Sequence, residues 1–131
     1  MTVETRGAVS LISQWFIRPG CEEKVIEAVT KLAAEVAAQE PGTLTYLMHT
    51  PRPDEGDLIT TPPADPLSLL FFETYRDADA FDAHVNGPLF TEFVKNHGDL
   101  FIQAKGGGPN TTVMFLTQQA GFALGVTRPH K

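Results

Sequence analysis

The chain has 131 residues, 42% of them hydrophobic and 20% charged, with a formal net charge of −6. Such a size and balance describe one ordinary globular domain with room for a core. The acidic balance, with no Lys/Arg cluster against it, argues against a nucleic-acid surface. No apolar run approaches the roughly 20 residues that span a bilayer.

The single cysteine, Cys21, has no partner in the chain for a disulfide, and the N-terminal MTVETRG is polar with no signal-peptide core. A cytoplasmic location is the expectation.

Residues 8–17 alternate, with Val9, Leu11, Ser13, Trp15 and Ile17 on one face and Ser10, Ile12, Gln14 and Phe16 on the other. The period of two predicts a strand with apolar groups on both faces, ended by Arg18-Pro19-Gly20. Over 21–39 the period becomes helical, and Val25, Ile26, Val29, Leu32, Ala33 and Val36 form one stripe. Glu22 and Glu23 suit the positive N-terminal end of that helix. Glu40-Pro41-Gly42 should stop it, with proline unable to continue and glycine free to take a positive φ.

A second strand is expected at 43–49, with Leu44, Tyr46 and Met48 on one side. Residues 50–66 hold five prolines (Pro51, Pro53, Pro62, Pro63, Pro66) and read as an irregular loop that can lid a pocket or embrace a partner.

The pattern then repeats. Residues 67–75 predict a strand, Asp77 an N-cap, and 78–85 a short helix. Asn86-Gly87 breaks that helix, and Pro88 opens another as an N1 proline, with Leu89, Phe90, Phe93 and Val94 as its apolar stripe and Gly98 at its end. After the turn at Gly106-Gly107-Gly108-Pro109-Asn110, residues 111–118 alternate as a last strand. The tail over 121–126 is small and apolar, which suits docking onto another subunit.

The whole reads as a single domain over residues 1–131, with a core of about 8–118, the proline-rich loop at 50–66 and a tail at 119–131. The order implies an α+β fold, a ferredoxin-like βαββαβ arrangement with one antiparallel sheet and helices on one face. The other sheet face, with Ile12, Phe16, Leu70 and Phe72, would then be bare in a monomer. Two sheets packed face to face would cover it, so a homodimer is expected.

One polar residue interrupts this apolar design. Phe81, His84 and Val85 share a helix face, which turns His84 toward the sheet, where Phe71, Glu73 and Tyr75 share one strand face. Ser13 and Trp15 would line the same layer, with Phe90 and Phe93 above, giving an aromatic cavity with few polar groups. His84 reads equally as a pocket residue or as a structural histidine bonded to Glu73 or a backbone carbonyl. Tyr75 and Trp15 read more simply as packing, and Glu73 as a structural acceptor. His49, His97 and His130 lack metal-ligand spacing, and the triple glycine lacks the lysine and context of a phosphate loop.

Several local patterns carry a resemblance over roughly residues 9–100: the turn Arg18-Pro19-Gly20 into a helix, Glu40-Pro41-Gly42-Thr43, and Phe72-Glu73-Thr74-Tyr75 followed by Ala80-Phe81-Asp82-Ala83-His84 and Pro88-Leu89-Phe90. With them the chain resembles the antibiotic biosynthesis monooxygenase family of dimeric α/β barrels, which includes quinol monooxygenases. The resemblance implies oxidation of a quinol or polycyclic phenol by O2 without flavin, metal or haem, so no cofactor is expected, and the partners are a small aromatic substrate, O2 and a second copy of the chain.

It also implies His84 as base or proton relay and Tyr75 as donor to the substrate oxygen. Ser13, Trp15, Phe71, Glu73, Phe90 and Phe93 would be the substrate-binding residues. Tyr75 stands where many relatives carry tryptophan. A haem-degrading subgroup of the same fold resembles a different design, and Ser13, Tyr75 and Val94 replace its asparagine, tryptophan and histidine. A barrel without catalysis, binding a small apolar ligand, is the remaining alternative.

Overall fold

In a computed structural model, residues 7–52 and 65–125 are described. The elements are β1 (Val9–Phe16), α1 (Glu22–Gln39), β2 (Thr43–His49), β3 (Ser68–Tyr75), α2 (Ala78–Val85), α3 (Pro88–His97), a 3-10 turn (Gly98–Leu100) and β4 (Thr111–Leu116). They follow the expected α+β order. The four strands form one antiparallel sheet in the order β2-β3-β1-β4, so the two central strands are those that each lead into a helix.

The alternation in β1 and β3 sets the two faces. Leu11, Ser13 and Trp15 of β1 and Leu69, Phe71, Glu73 and Tyr75 of β3 are buried on the helix side. From α1 come Val25, Ala28, Val29, Leu32 and Val36. Ile26, expected in that stripe, is instead exposed at 37%, because the inward face runs through Ala28. Isolated bridging of Ile17 to Phe101 carries Phe101 beneath Trp15, which adds a fully buried ring to the core.

The opposite face buries small polar residues, Ser10, Ser68 and Thr74, but leaves apolar side chains open among the described residues. Leu47, Phe72, Ile12 and Met114 lie in one register row across all four strands. Ile12, Phe72 and Met114 are exposed at 39, 38 and 63%.

Two turns differ from expectation or explain it. Gly20 takes φ +88°, a left-handed conformation that suits glycine where β1 gives way to α1. Gly42 does not take a positive φ. It is required by space: a Cβ there would sit 2.7 Å from Ala80 Cβ, so the α1–β2 turn packs flush against α2. The last strand ends at Leu116 rather than at residue 118, and the described tail is exposed, with Phe122 at 89% and Leu124 at 77%. Residues 53–64 of the proline-rich loop, residues 1–6 and residues 126–131 lie outside the described residues.

Candidate active site

α2 is short and firmly placed. The Asp77 side chain accepts from Ala80 N–H at 2.8 Å, the N-cap that the sequence predicts. At its far end Gly87 leaves no room for a side chain, since a Cβ would lie 2.4 Å from the Ala83 carbonyl oxygen. That close turn seats Pro88 at the start of α3 and brings Phe90 back over α2. Between these fixed ends the last turn of α2 delivers His84 into the helix–sheet layer, where it is only 2% exposed.

Three rings surround the imidazole, with centroids at 5.2 Å for Tyr46, 5.4 Å for Tyr75 and 5.2 Å for Phe90. Both ring nitrogens are engaged. Nδ1 lies 2.7 Å from Glu40 Oε1, and Nε2 lies 3.4 Å from the Tyr46 hydroxyl. Beside them the Tyr75 hydroxyl donates to Glu73 Oε1, two residues back on the same strand face. Tyr46 pairs with Glu73 in the β2–β3 register, which closes the cluster.

Burial chiefly, opposed by the Tyr75 hydrogen bond and the neighbouring His84 ring, holds the Glu73 carboxyl above its ordinary value. Burial also pushes the Tyr46 hydroxyl well up, with the Glu73 and Glu40 charges adding to it. Tyr75 is pushed up by burial and by its carboxylate partner Glu73. Both phenols are therefore donors across the physiological range.

An open cleft of about 350 Å³ lies over this cluster, lined by Glu40, Gly42, Arg76, Ala80, His84 and Leu89 among others. Arg76 stands at its edge, half turned to solvent and 3.7 Å from Asp77. A second cleft of about 220 Å³ runs between α1 and α3, past Leu32 and Phe93, and shares Pro88 and Leu89 with the first. Among the described residues no group of three or more His, Cys, Asp or Glu side chains is placed to hold a metal ion.

The expected site residues thus divide into two groups. His84, Tyr75, Glu73 and Phe90 come together. Ser13, Trp15, Phe71 and Phe93 sit farther along the same layer, where a cavity was expected and a packed cluster is found. Trp15 meets Phe71 at 5.5 Å, Phe90 and Phe93 at 6.1 Å, and Phe101 at 5.0 Å. Its indole N–H donates to Ser13 Oγ at 3.3 Å, so neither polar group is left over.

Of the two structural bonds weighed for His84, neither is the one made: its carboxylate partner is Glu40, not Glu73. Glu40 and Tyr46 are the residues the sequence reading missed. Tyr46 was within reach, since it shares a strand face with Met48. Glu40 carried a fainter signal, an acidic side chain at the C-terminal end of a helix that has no basic residue in its last turn.

The profile described as antibiotic biosynthesis monooxygenase matches residues 8–96. An uncharacterised protein of Synechocystis is 30% identical over 84 residues, covering 64% of this chain and 49% of that protein, so the match spans about half of the relative's length.

Among solved structures, a candidate antibiotic biosynthesis monooxygenase of Caulobacter crescentus superposes with a TM-score of 0.68 at 20% identity, covering 87% of this chain and 92% of that one. SnoaB of Streptomyces nogalater, described as a cofactor-independent oxygenase and solved as a mutant, superposes with a TM-score of 0.63 at 15% identity, over 88 and 96% of the two chains. Those two likenesses speak to the fold, and the profile match speaks to descent. The chain belongs to the antibiotic biosynthesis monooxygenase family.

Proposed function

We propose that this protein is a cofactor-independent monooxygenase that oxidises a quinol or polycyclic phenol with O2. The observation that supports it most is the buried imidazole of His84, paired with a carboxylate and ringed by aromatic side chains at the floor of a cleft of about 350 Å³. A phenol gives an electron to O2 far more readily once its proton is gone, so the site needs a base, hydrogen-bond donors and an apolar wall. His84 is the base in this reading. Tyr75 and Tyr46 are the neighbouring donors, and Pro88 and Leu89 supply apolar surface to the cleft. One oxygen atom ends as a ring carbonyl and the other leaves as water, so a phenol with an open ring position yields a quinone.

Oxygen uptake on a panel of hydroquinones and polycyclic phenols, with no cofactor added, tests the reading. Uptake should occur and should fall about 100-fold or more in His84→Ala, the usual weight of a general base. Uptake indifferent to that substitution would remove His84 from its role.

The protein is further proposed to act as a homodimer in a reducing cytoplasm, where an unpaired Cys21 is stable. The partly exposed row Leu47, Phe72, Ile12 and Met114 supports pairing through that sheet face. Phe72→Glu should shift the sedimentation coefficient from dimer to monomer, and a wild type that sediments as a monomer would refute this.

A second reading is favoured by the packed state of Trp15, Phe71, Phe93 and Phe101: a barrel that binds a small apolar ligand without changing it. A ligand recovered intact after incubation under oxygen would support that reading.

A further inference from the structure

Glu40 sits where local chemistry does not favour it. It is the C-cap of α1, an 18-residue helix whose last turn holds no basic residue. The carbonyl end of a helix carries partial negative charge, and an acidic side chain there is unfavourable by roughly 0.3–1 kcal/mol. Ending the helix does not need it, since Pro41 does that by itself. A residue that breaks a local rule at a buried polar cluster calls for a non-local reason.

The structure supplies one. Glu40 Oε1 lies 2.7 Å from Nδ1 of His84, across 44 residues of chain. The turn that carries Glu40 is braced on three sides. Thr43 N–H donates to the Glu40 carbonyl at 3.0 Å, Arg76 N–H donates to the Gly42 carbonyl at 2.8 Å, and Gly42 packs against Ala80. The carboxylate is thereby fixed relative to α2 rather than left on a loose loop.

We propose that Glu40 is the positioning residue of this site: its carboxylate holds the proton of His84 on Nδ1 and leaves Nε2 as the nitrogen that accepts the substrate proton. The inference rests on the reading of His84 as the base. In this assignment the carboxylate is the acceptor of the 2.7 Å contact and the imidazole hydrogen is on Nδ1. Nε2 then carries the lone pair, and its neighbour agrees, because the Tyr46 hydroxyl is a donor held in its protonated form by burial.

That Tyr46 bond is long and weak, at 3.4 Å, so a substrate hydroxyl that reaches Nε2 replaces it at little cost. His84 and Glu40 line the cleft and Tyr46 does not, so Tyr46 must give way as the hydroxyl enters. In that step the substrate O–H bond breaks, an Nε2–H bond forms, and the electron pair stays on the substrate oxygen. The groups facing the imidazole are Glu40 from the turn after α1, Tyr46 from β2, Glu73 and Tyr75 from β3, and Phe90 from α3. Of the two carboxylates only Glu40 hydrogen-bonds the ring.

The test reads the tautomer directly. Long-range proton–nitrogen correlation spectra of the whole chain, with labelled histidine, distinguish the two neutral forms of the ring. His84 should appear as the Nδ1–H form in the wild type and shift toward the Nε2–H form in Glu40→Ala. Oxygen uptake should show kcat lowered about 10- to 100-fold with KM within about 3-fold, and Glu40→Asp should recover part of kcat.

Should Glu40→Ala fail to fold, Glu40→Gln keeps the shape and an acceptor oxygen but loses the charge. Its Nδ1 proton signal should then move upfield and its kcat fall. A wild type in the Nε2–H form, or a tautomer and kcat unmoved by these substitutions, would overturn the assignment. A wild type that consumes no oxygen while its tautomer still follows Glu40 would overturn the oxygenase reading and support the placement of the ring.

Discussion

The Gly42–Ala80 contact gives a sharp test of how the site is held. A Cβ on residue 42 would lie 2.7 Å from Ala80 Cβ, inside the 3.4 Å at which ordinary contact begins. Neither atom can swing away, because one is the root of a side chain on a braced turn and the other a methyl on a capped helix. Gly42→Ala must therefore part the turn from α2 and should cost about 1–3 kcal/mol, the usual range for overpacking. At this chain length that is a drop in Tm of roughly 4–12 °C.

Ala80→Gly should cost about 1 kcal/mol for the loss of a good helix former. The double variant removes the clash, so it should be no less stable than Ala80→Gly alone, and the two costs should fail to add by about 1–2 kcal/mol. Urea unfolding of the four proteins measures the cycle. Costs that add to within about 0.5 kcal/mol would show that the turn and α2 are not in contact, and the route by which Glu40 reaches His84 would fall with it.

Two further outcomes concern the buried polar cluster. Glu73 holds its proton to higher pH than the unfolded chain does, so the native state binds more protons than the unfolded state above the ordinary value of 4.5. Stability must then fall as pH rises from that value through the raised one. Glu73→Gln keeps an acceptor for Tyr75 and removes this loss, so its urea midpoint should match the wild type at about pH 4 and exceed it at about pH 8; parallel curves would refute the reasoning.

Tyr46 and Tyr75 are the chain's 2 tyrosines, and both are held above their ordinary value of 10.0. Stability should fall above pH 10, where only the unfolded phenols ionise, and phenolate absorbance should appear in one step with loss of the near-ultraviolet circular dichroism. A smooth titration of one phenol in the folded protein would contradict the burial.

Much of the fold was legible because it rests on short-range periodicity. β2 and α2 begin and end where the alternation, the Asp77 cap and the Asn86-Gly87-Pro88 break put them. Those signals act within a few residues, so no distant contact is needed to read them. The site was legible only in half. His84, Glu73 and Tyr75 share an interior that two local periods imply, whereas Glu40 meets His84 only because a turn packs against a helix 44 residues away in sequence. The empty chamber expected around Trp15 failed for a related reason. Phe101 follows a 3-10 turn with no period of its own, and the Ile17 bridge carries it into the space the cavity would have used.

The division of the helix-side layer argues that the polar end is more than packing. Along β3 the buried positions run Leu69, Phe71, Glu73 and Tyr75, so one strand face passes from apolar to polar within four residues. The apolar half shows that this fold can fill the layer with rings alone. Continuing that pattern would be the more stable choice, since a buried carboxyl loses hydration that its partners only partly return. The chain instead buries Glu73 and His84 and spends three further side chains, Glu40, Tyr46 and Tyr75, on satisfying them, with no buried side-chain N or O atom left unpartnered among the described residues. Phe90 joins the halves, 5.2 Å from His84 and 6.1 Å from Trp15, so the packed rings act as the wall that keeps the imidazole in place. A sequence that gives up stability in one corner while holding every polar atom there in a fixed direction fits a preorganised site better than a core that happens to contain a histidine.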